Sequence, residues 1–339
     1  MPRVLITGGA GYIGSVLTEL LLDQGYSVTV LDRLFFGKTL ATLEDSHRLR
    51  IVKNDIRWVN SEIFNGVDAV LDLAAISNDP AGELDPEKTI DINHKGRAGI
   101  ARLAKENKVK RYILASSCSI YGFQEGILNE NSPVNPLTTY AEANYEAEKS
   151  VIPLGDENFS VTVLRQATVY GLSKRMRFDL AINGMTLGIF KTGRIPILRD
   201  GTQWRPMVHI KDTSRAFQLM LESPTEKING QIFNVGSDDQ NFQILPMARR
   251  IAEANMVPFE YDWYGDPDHR SYRVSFDKIH STLGYETKNT VEQASQDIFN
   301  GLRFGSLTDG PQTRTVDWYS QLLHWKSTLD EIELNDVLL

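Results

Sequence analysis

The reading starts at Val4-Leu5-Ile6-Thr7-Gly8-Gly9-Ala10-Gly11-Tyr12-Ile13-Gly14. A short apolar run enters a glycine-rich turn, and the turn opens an amphipathic pattern from Tyr12 to Gln24 that Gly25 stops. This is a buried strand, a tight turn and a helix N-terminus in succession, which places backbone N–H groups and the positive end of a helix in front of a pyrophosphate. Gly8 permits the turn, Gly11 lets the backbone come close to phosphates, and Gly14 lets the helix pack against a sheet. A glycine triplet also occurs in turns that hold no ligand, so the rest of the chain has to decide.

Outward from this stretch, short apolar runs alternate with helical patterns. Strands are expected at Val4–Ile6, Ser27–Leu31, Arg50–Lys53, Ala69–Ala74, Arg111–Ser116 and Val161–Arg165, with helices at Asn93–Asn107 and Leu137–Ile152 between them. Such alternation implies right-handed crossovers and a parallel sheet covered on both faces: an α/β, Rossmann-type, doubly wound fold. After Gly171 the alternation becomes less regular. Met207–Ile210 and Ile232–Val235 are expected to return to the main sheet around a helix at Asp212–Glu222, and further helices are expected at Asn241–Asn255 and Val291–Leu302. A smaller mixed α/β lobe follows from this. The end of the chain, Thr328–Leu339, is acidic and apolar and suits a docked helix or a loose tail.

With 339 residues the chain can build one large core with elaborations or two lobes. A net charge of −8 argues against nucleic-acid binding, which needs cations for the phosphates. The lone cysteine, Cys118, excludes an internal disulfide and a multi-cysteine zinc site. Metal-ligand spacing is absent. The N-terminal apolar run is too short for a signal peptide or membrane span, so a cytoplasmic location with no membrane contact is expected.

The second strand ends at Asp32. A carboxylate there can accept from both hydroxyls of an adenosine ribose and would repel a 2′-phosphate, which favours NAD over NADP; Arg33 beside it argues weakly the other way. Asp55-Ile56, past the third strand, places a carboxylate where it can meet the adenine amine. Leu73-Ala74-Ala75 ends the fourth strand with small side chains, leaving room for a cofactor across the carboxyl edge of the sheet.

These stretches, together with Ser116-Ser117-Cys118-Ser119-Ile120-Tyr121-Gly122, Leu164-Arg165, Val169-Tyr170-Gly171, Gly201-Thr202-Gln203-Trp204-Arg205, Val208-His209-Ile210-Lys211-Asp212 and Asn234-Val235-Gly236, resemble the extended short-chain dehydrogenase/reductase family, and within it the nucleotide-sugar epimerases and dehydratases. The resemblance runs from residue 2 to about residue 300. It implies NAD binding by residues 1–171, with 205–235 returning to that domain, a substrate lobe of 172–204 and 236–320, and a tail of 321–339. It places Gly8, Gly11, Tyr12, Ile13, Gly14, Asp32, Asp55, Ile56, Leu73, Ala74, Ala75, Asn93, Ser116 and Tyr140 around the cofactor.

Members of this family oxidise a sugar carbinol with a tyrosine as base, and a lysine four residues later lowers the phenol pKa and holds the nicotinamide ribose. Here two frames compete. Tyr140 stands four residues after Pro136 as the resemblance requires, but Asn144 occupies the lysine position. Tyr145 and Lys149 satisfy the spacing literally but are shifted by five residues. At about 100° per residue Tyr145 lies roughly 140° around the helix from Tyr140 and Lys149 roughly 180°, so one pair alone can face the cofactor. We take Tyr140 as the base, Ser117 (with Ser119 as a second candidate) as the relay hydroxyl, and Asn144 as an uncharged replacement for the lysine. Cys118-Ser119 stands where the dehydratases carry Asp-Glu, which argues against water elimination.

On the substrate side the resemblance implies a nucleotide-diphosphate sugar, most simply a UDP-sugar. Arg205 and Arg270 are expected at the diphosphate, since a guanidinium binds phosphate through two parallel bonds. Arg177 and Asn183, with Arg175, are expected near the diphosphate or base, Thr168 replaces an asparagine near the substrate, and Ser117 reaches the sugar. His209 and Asp212 fall on a strand-to-helix join, where Asp212 suits an N-cap. The expected reaction is C4 epimerisation with NAD retained. The alternatives are a nucleotide-sugar dehydratase or 4-keto-reductase, or a regulatory protein that binds NAD without turnover. A homodimer joined through the helices at 93–107 and 137–152 is implied as well, with Pro153 ending the second of them early.

Overall fold

The computed structural model describes residues 2–266 and 270–334. Five strands, β1 (Arg3–Thr7), β2 (Ser27–Asp32), β3 (Leu49–Lys53), β4 (Ala69–Asp72) and β5 (Arg111–Ser117), alternate with helical segments. β6 (Phe123–Leu128) leaves the sheet and β7 (Ser160–Gln166) rejoins it. Next come β8 (Thr168–Tyr170), β9 (Ile195–Leu198) and β10 (Trp204–His209), then β11 (Gln231–Val235), β12 (Asn241–Gln243), β13 (Tyr261–Tyr264) and β14 (Ser271–Val274). The main sheet has seven strands in the order β11-β7-β5-β4-β1-β2-β3, all paired in parallel. The sequence runs out in both directions from β1, so the order reverses there, and the ends of β1 and β4 open the crevice in which such sheets hold ligands.

Every strand expected in this sheet is present except one. Met207–Ile210 does not return to it: β10 pairs in parallel with β8 and antiparallel with β12 in a separate three-stranded sheet. Its run of apolar residues, buried along the strand, satisfies either sheet, and sequence alone did not separate the two. The helix expected from Asn241 begins at Ile244, because Asn241–Gln243 is drawn into that small sheet as β12. Asp212 is not an N-cap. His209 caps its helix through Nδ1, and Asp212 is fully buried in the first turn, where it accepts from the backbone of Lys288 and Asn289 at 3.0 Å each and pairs with Arg215.

The helix before β5 is broader than its pattern suggested. It begins at Pro86 and passes through a π-helical stretch, Asp91–Gly96, before Arg97–Glu106. π-turns of this kind are frequent at functional sites. The Thr139–Val151 helix starts at Thr138, whose hydroxyl accepts from Ala141 N. Pro153 does end it, in a single 3₁₀ turn. Gly25 stops the first helix, as expected. At the other end of the chain the Thr315–Ile332 helix crosses residue 320 without a break, so part of the expected tail is helical. Residues 335–339 of that tail lie outside the described residues. Among the described residues no helix is long and apolar enough to cross a membrane.

One ion pair ties the Thr139–Val151 helix to the centre of the sheet. Glu148 and Arg165 have side chains 1% and 4% exposed and meet at 2.7 Å. Ser116 donates to the same carboxylate at 2.5 Å, and Arg165 also donates to the Tyr121 hydroxyl. A buried pair of this kind is worth little against an apolar replacement, but removing one partner strands the other charge. Glu148→Gln is therefore expected to cost about 3 kcal/mol, read as a lower urea midpoint with an unchanged slope.

Candidate cofactor and active site

The glycine turn is packed to its limit. Gly8 has φ +68°, and a Cβ on it would meet the Ala74 backbone at 2.9 Å. A Cβ on Gly14 would lie 2.1 Å from the Gly8 carbonyl, so Gly14 is small for the sake of the turn itself and not for the sheet as expected. Gly11 caps the Tyr12–Asp23 helix with no side chain, and no acidic residue occupies its first turn. Unpaired N–H groups therefore face the crevice.

The crevice encloses about 1170 Å³, counting its open mouth. Gly8, Gly11, Tyr12, Ile13 and Gly14 form one wall, and Asp32, Asp55, Ile56, Leu73, Ala74 and Ala75 follow along the strand ends. Ser116, Tyr140 and Asn144 close the far end. Tyr145 and Lys149 do not line it. Lys149 lies half exposed, paired with Glu146 at 2.5 Å and resting on the Tyr145 ring, which itself packs on the core, so the literal Tyr-x-x-x-Lys pair is spent away from the crevice.

Asp32 accepts from Ala10 N at 3.0 Å and Leu34 N at 2.7 Å, and burial raises its pKa. One acceptor position on each oxygen remains for ribose hydroxyls. Asp55 is different. Its carboxylate receives the Arg57 backbone and Nε on one oxygen and Arg57 Nη2 and Arg33 Nη1 on the other, at 2.7–2.9 Å. Burial raises its pKa, the two arginines outweigh that, and the carboxyl is held at about 2. Its four lone-pair positions are taken, leaving none for an adenine amine. The same contact turns Arg33 onto Asp55.

Asn93 is fully buried but outside the crevice wall. It accepts from Ile76 N at 2.8 Å and donates to Ile76 O at 2.9 Å, clasping the loop that follows β4. Asn183 is likewise structural: it bonds the Tyr12 hydroxyl, the Arg177 carbonyl and Gly171 N, all within 3.0 Å. Thr168 sits in β8 opposite Met207 and does not line the crevice. Arg177 does line it, held by Asp179 at 2.8 Å. Arg205 donates to the Trp204 and Arg270 carbonyls and lies over the Tyr272 ring, while Arg270 forms an ion pair with Asp79.

Two features go beyond the sequence reading: the surroundings of Arg175, a residue expected only near a diphosphate or base, and the C-terminal helix. Arg175 is 4% exposed, lies over the Phe36 ring and lines the crevice beside Asp32. Nη2 donates to Thr315 Oγ1 at 2.9 Å, but Nε and Nη1 have no hydrogen-bond partner among the described residues. Burial and then the neighbouring Arg177 lower its pKa to about 9. Buried donors left unpaired call for an anion. The second feature is the C-terminal helix. Tyr319 lines the crevice against Phe35 and Phe36, and Trp318 Nε1 donates to the Phe35 carbonyl at 2.7 Å. No sequence motif marks that helix as part of the site.

At the far end, burial and then the Asp79 carboxylate raise the pKa of the Tyr140 phenol, while Arg97, the Ser117 side chain and Arg177 oppose them; the net direction is upward. Ser119 Oγ, the second candidate hydroxyl, is buried and has no partner among the described residues. Cys118 is fully buried with its thiol donating to the Arg165 carbonyl, and burial pushes its pKa up, so it is a packed residue. No cluster of metal-ligating side chains occurs among the described residues.

The chain belongs to the NAD dependent epimerase/dehydratase family, whose model matches residues 4–236. It is 28% identical over 312 residues to a UDP-glucose 4-epimerase of Lactobacillus helveticus, covering 85% of this chain and 92% of that protein. It is 26% identical to a dTDP-glucose 4,6-dehydratase of Streptomyces niveus, covering 95% and 94%. In fold it is similar to the UDP-glucuronic acid 4-epimerase of Bacillus cereus solved with UDP-glucuronic acid and NAD, with a TM-score of 0.80, 22% identity, and coverage of 89% of this chain and 99% of that one. The protein is thus an enzyme of an NAD-dependent family. The residues present fit NAD: a crowded glycine turn at a helix N-terminus, a carboxylate at the end of β2, and a buried guanidinium with unpaired donors. Arg175→Met is expected to raise the dissociation constant for NAD about 10–100-fold, since a charge-assisted hydrogen bond contributes about 1.5–3 kcal/mol; a fluorescence titration with NAD measures this.

Proposed function

We propose that this enzyme interconverts nucleotide-diphosphate sugars that differ at C4, with a UDP-sugar as substrate. The observation that carries the reading is the buried Tyr140, with Ser117 acting on its phenol, at one end of a crevice whose other end is the glycine turn. When bound, NAD would supply the hydride acceptor and donor for the carbinol carbon, so that no net oxidation or reduction results. Tyr140 receives the hydroxyl proton in the first half and gives it back in the second, and Ser117 bridges phenol and sugar oxygen. Kinship with 4-epimerases supports the choice, as does Cys118-Ser119 in place of the dehydratases' Asp-Glu.

In the same proposal Asp32 holds the adenosine ribose, the Gly8–Gly14 turn and Arg175 hold the pyrophosphate, and Asn144 meets the nicotinamide ribose. Arg205 and Arg270 bind the sugar nucleotide's diphosphate, which requires Arg270 to exchange Asp79 for the ligand. The substrate lobe, 172–204 and 236–320, is supported by a separate apolar core that joins Ile182, Met185, Ile197, Met247, Ile251 and Ala294. A cytoplasmic homodimer completes the reading. Lys95 and Arg102 are exposed on one of the two expected contact helices and Glu142 on the other, which suits two copies packed face to face.

Incubation with UDP-glucose or UDP-glucuronic acid should yield a mixture of C4 epimers by NMR without accumulation of reduced nicotinamide. Loss of water from the sugar would identify a dehydratase, and an unchanged sugar would refute both. Tyr140→Phe should lower turnover about 10²–10⁴-fold. Because the phenol must be ionised to act and its pKa is raised, turnover should climb through neutral into alkaline pH.

A further inference from the structure

Behind Asn144 lies Arg97, the first residue of the Arg97–Glu106 helix and 0% exposed. Nη1 donates to Asn144 Oδ1 at 2.9 Å, and Nη2 donates to the Asp72 carbonyl at 3.1 Å and to the Ala115 carbonyl. Nε lies 3.9 Å from the Asp72 carboxylate and has no hydrogen-bond partner among the described residues. Asp72 is itself occupied by the Thr7 hydroxyl at 2.5 Å and by the Tyr112 phenol. Burying a guanidinium whose Nε stays unsatisfied is costly. Arg97 is directed at the one residue of the active site that departs from the Tyr-x-x-x-Lys pattern.

We propose that Arg97 and Asn144 together replace the motif lysine, with Arg97 as a positioning residue that supplies the buried positive charge and fixes the orientation of the Asn144 amide. The inference rests on the reading of Tyr140 as the proton acceptor.

Two arguments lead there. The first concerns the amide. Its oxygen and nitrogen have nearly the same shape, so the surrounding hydrogen bonds decide which way it points. A guanidinium can only donate, so the atom facing Arg97 is Oδ1. Nδ2 is thereby turned outward. One of its hydrogens goes to the Tyr140 carbonyl at 2.8 Å, and the other is left for a ligand hydroxyl at the crevice wall. This is the donor that a lysine ammonium would present.

The second argument concerns charge. The groups acting on the Tyr140 phenol are Asp79 from the loop after β4, Arg97 from its helix, Arg177 from the segment after β8 and the Ser117 hydroxyl from β5. Asp79 raises the pKa of the phenol and Arg97 leads the groups that lower it. The cation has moved one layer back, and an amide carries its donors forward.

Titration of ring-labelled tyrosine by NMR in the NAD-loaded enzyme tests this without substrate, so it is independent of whether any sugar turns over. Tyr140 is assigned by the signal that Tyr140→Phe removes. Arg97→Gln should raise the Tyr140 midpoint by about one pH unit, and the alkaline limb of the turnover profile should follow. Arg97→Lys, which keeps a charge, should leave the midpoint close to its original value. Adding Asn144→Lys to Arg97→Gln should bring it back. Should Arg97→Gln fail to fold, Arg97→Met against Arg97→Lys reads the same difference. A folded, uncharged variant with an unmoved midpoint overturns the proposal. So does a shift that Asn144→Lys does not reverse, since it would leave Arg97 with a structural role alone.

Discussion

The constraint on which the crevice depends is steric. Gly14 sits so near the Gly8 carbonyl, and Gly8 so near Ala74, that no other residue fits at either place. This contact fixes how the first helix leaves β1, and with it where the helix N-terminus points. It also locks the turn to the end of β4, because Gly8 packs on the Leu73-Ala74 backbone while Thr7 Oγ1 accepts from Leu73 N and Ala74 N. The crevice wall is therefore a single rigid unit made from the ends of two neighbouring strands. It exists before any ligand arrives, so little ordering remains to be done on binding.

Charge is arranged around that wall in two different ways. Beside Asp55 the arginines are neutralised locally: Arg33 and Arg57 both rest on its carboxylate, and Arg57 reaches Asp91 as well. Along the middle and at the far end they are buried with incomplete pairing, as at Arg175 and Arg97. A structure tolerates buried cations of that kind where anionic or polar ligands complete them, or where they act on a neighbour. The two ends of one crevice thus hold similar residues for different purposes: Asp55 and its arginines give shape, and the unpaired guanidinium groups give attraction.

Much of this was legible in the sequence because it depends on local chemistry. The glycine turn, the strand-helix alternation, Asp32 at a strand end and the spacing from Pro136 to Tyr140 each involve residues a few positions apart, where period and turn chemistry act directly. What the sequence hid depends on long-range packing. Arg97 lies 47 residues from Asn144, Thr315 lies 140 residues from Arg175, and Trp318 lies 283 residues from Phe35. No period connects such pairs. The fate of β10 belongs with them, since its buried apolar run suits either sheet. Asn183 and Asn93 show the opposite error. A polar residue near a site reads as a ligand until the backbone groups it serves come into view.

The Thr315–Ile332 helix couples distant parts of the fold. Thr315 accepts from Arg175, and Tyr319 packs on the rings of Phe35 and Phe36, so the lining of the crevice beside Asp32 is complete only while that helix is docked. The seating of the helix and the shape of the crevice are thus one event: loosening the helix would uncover the buried guanidinium and both aromatic rings together.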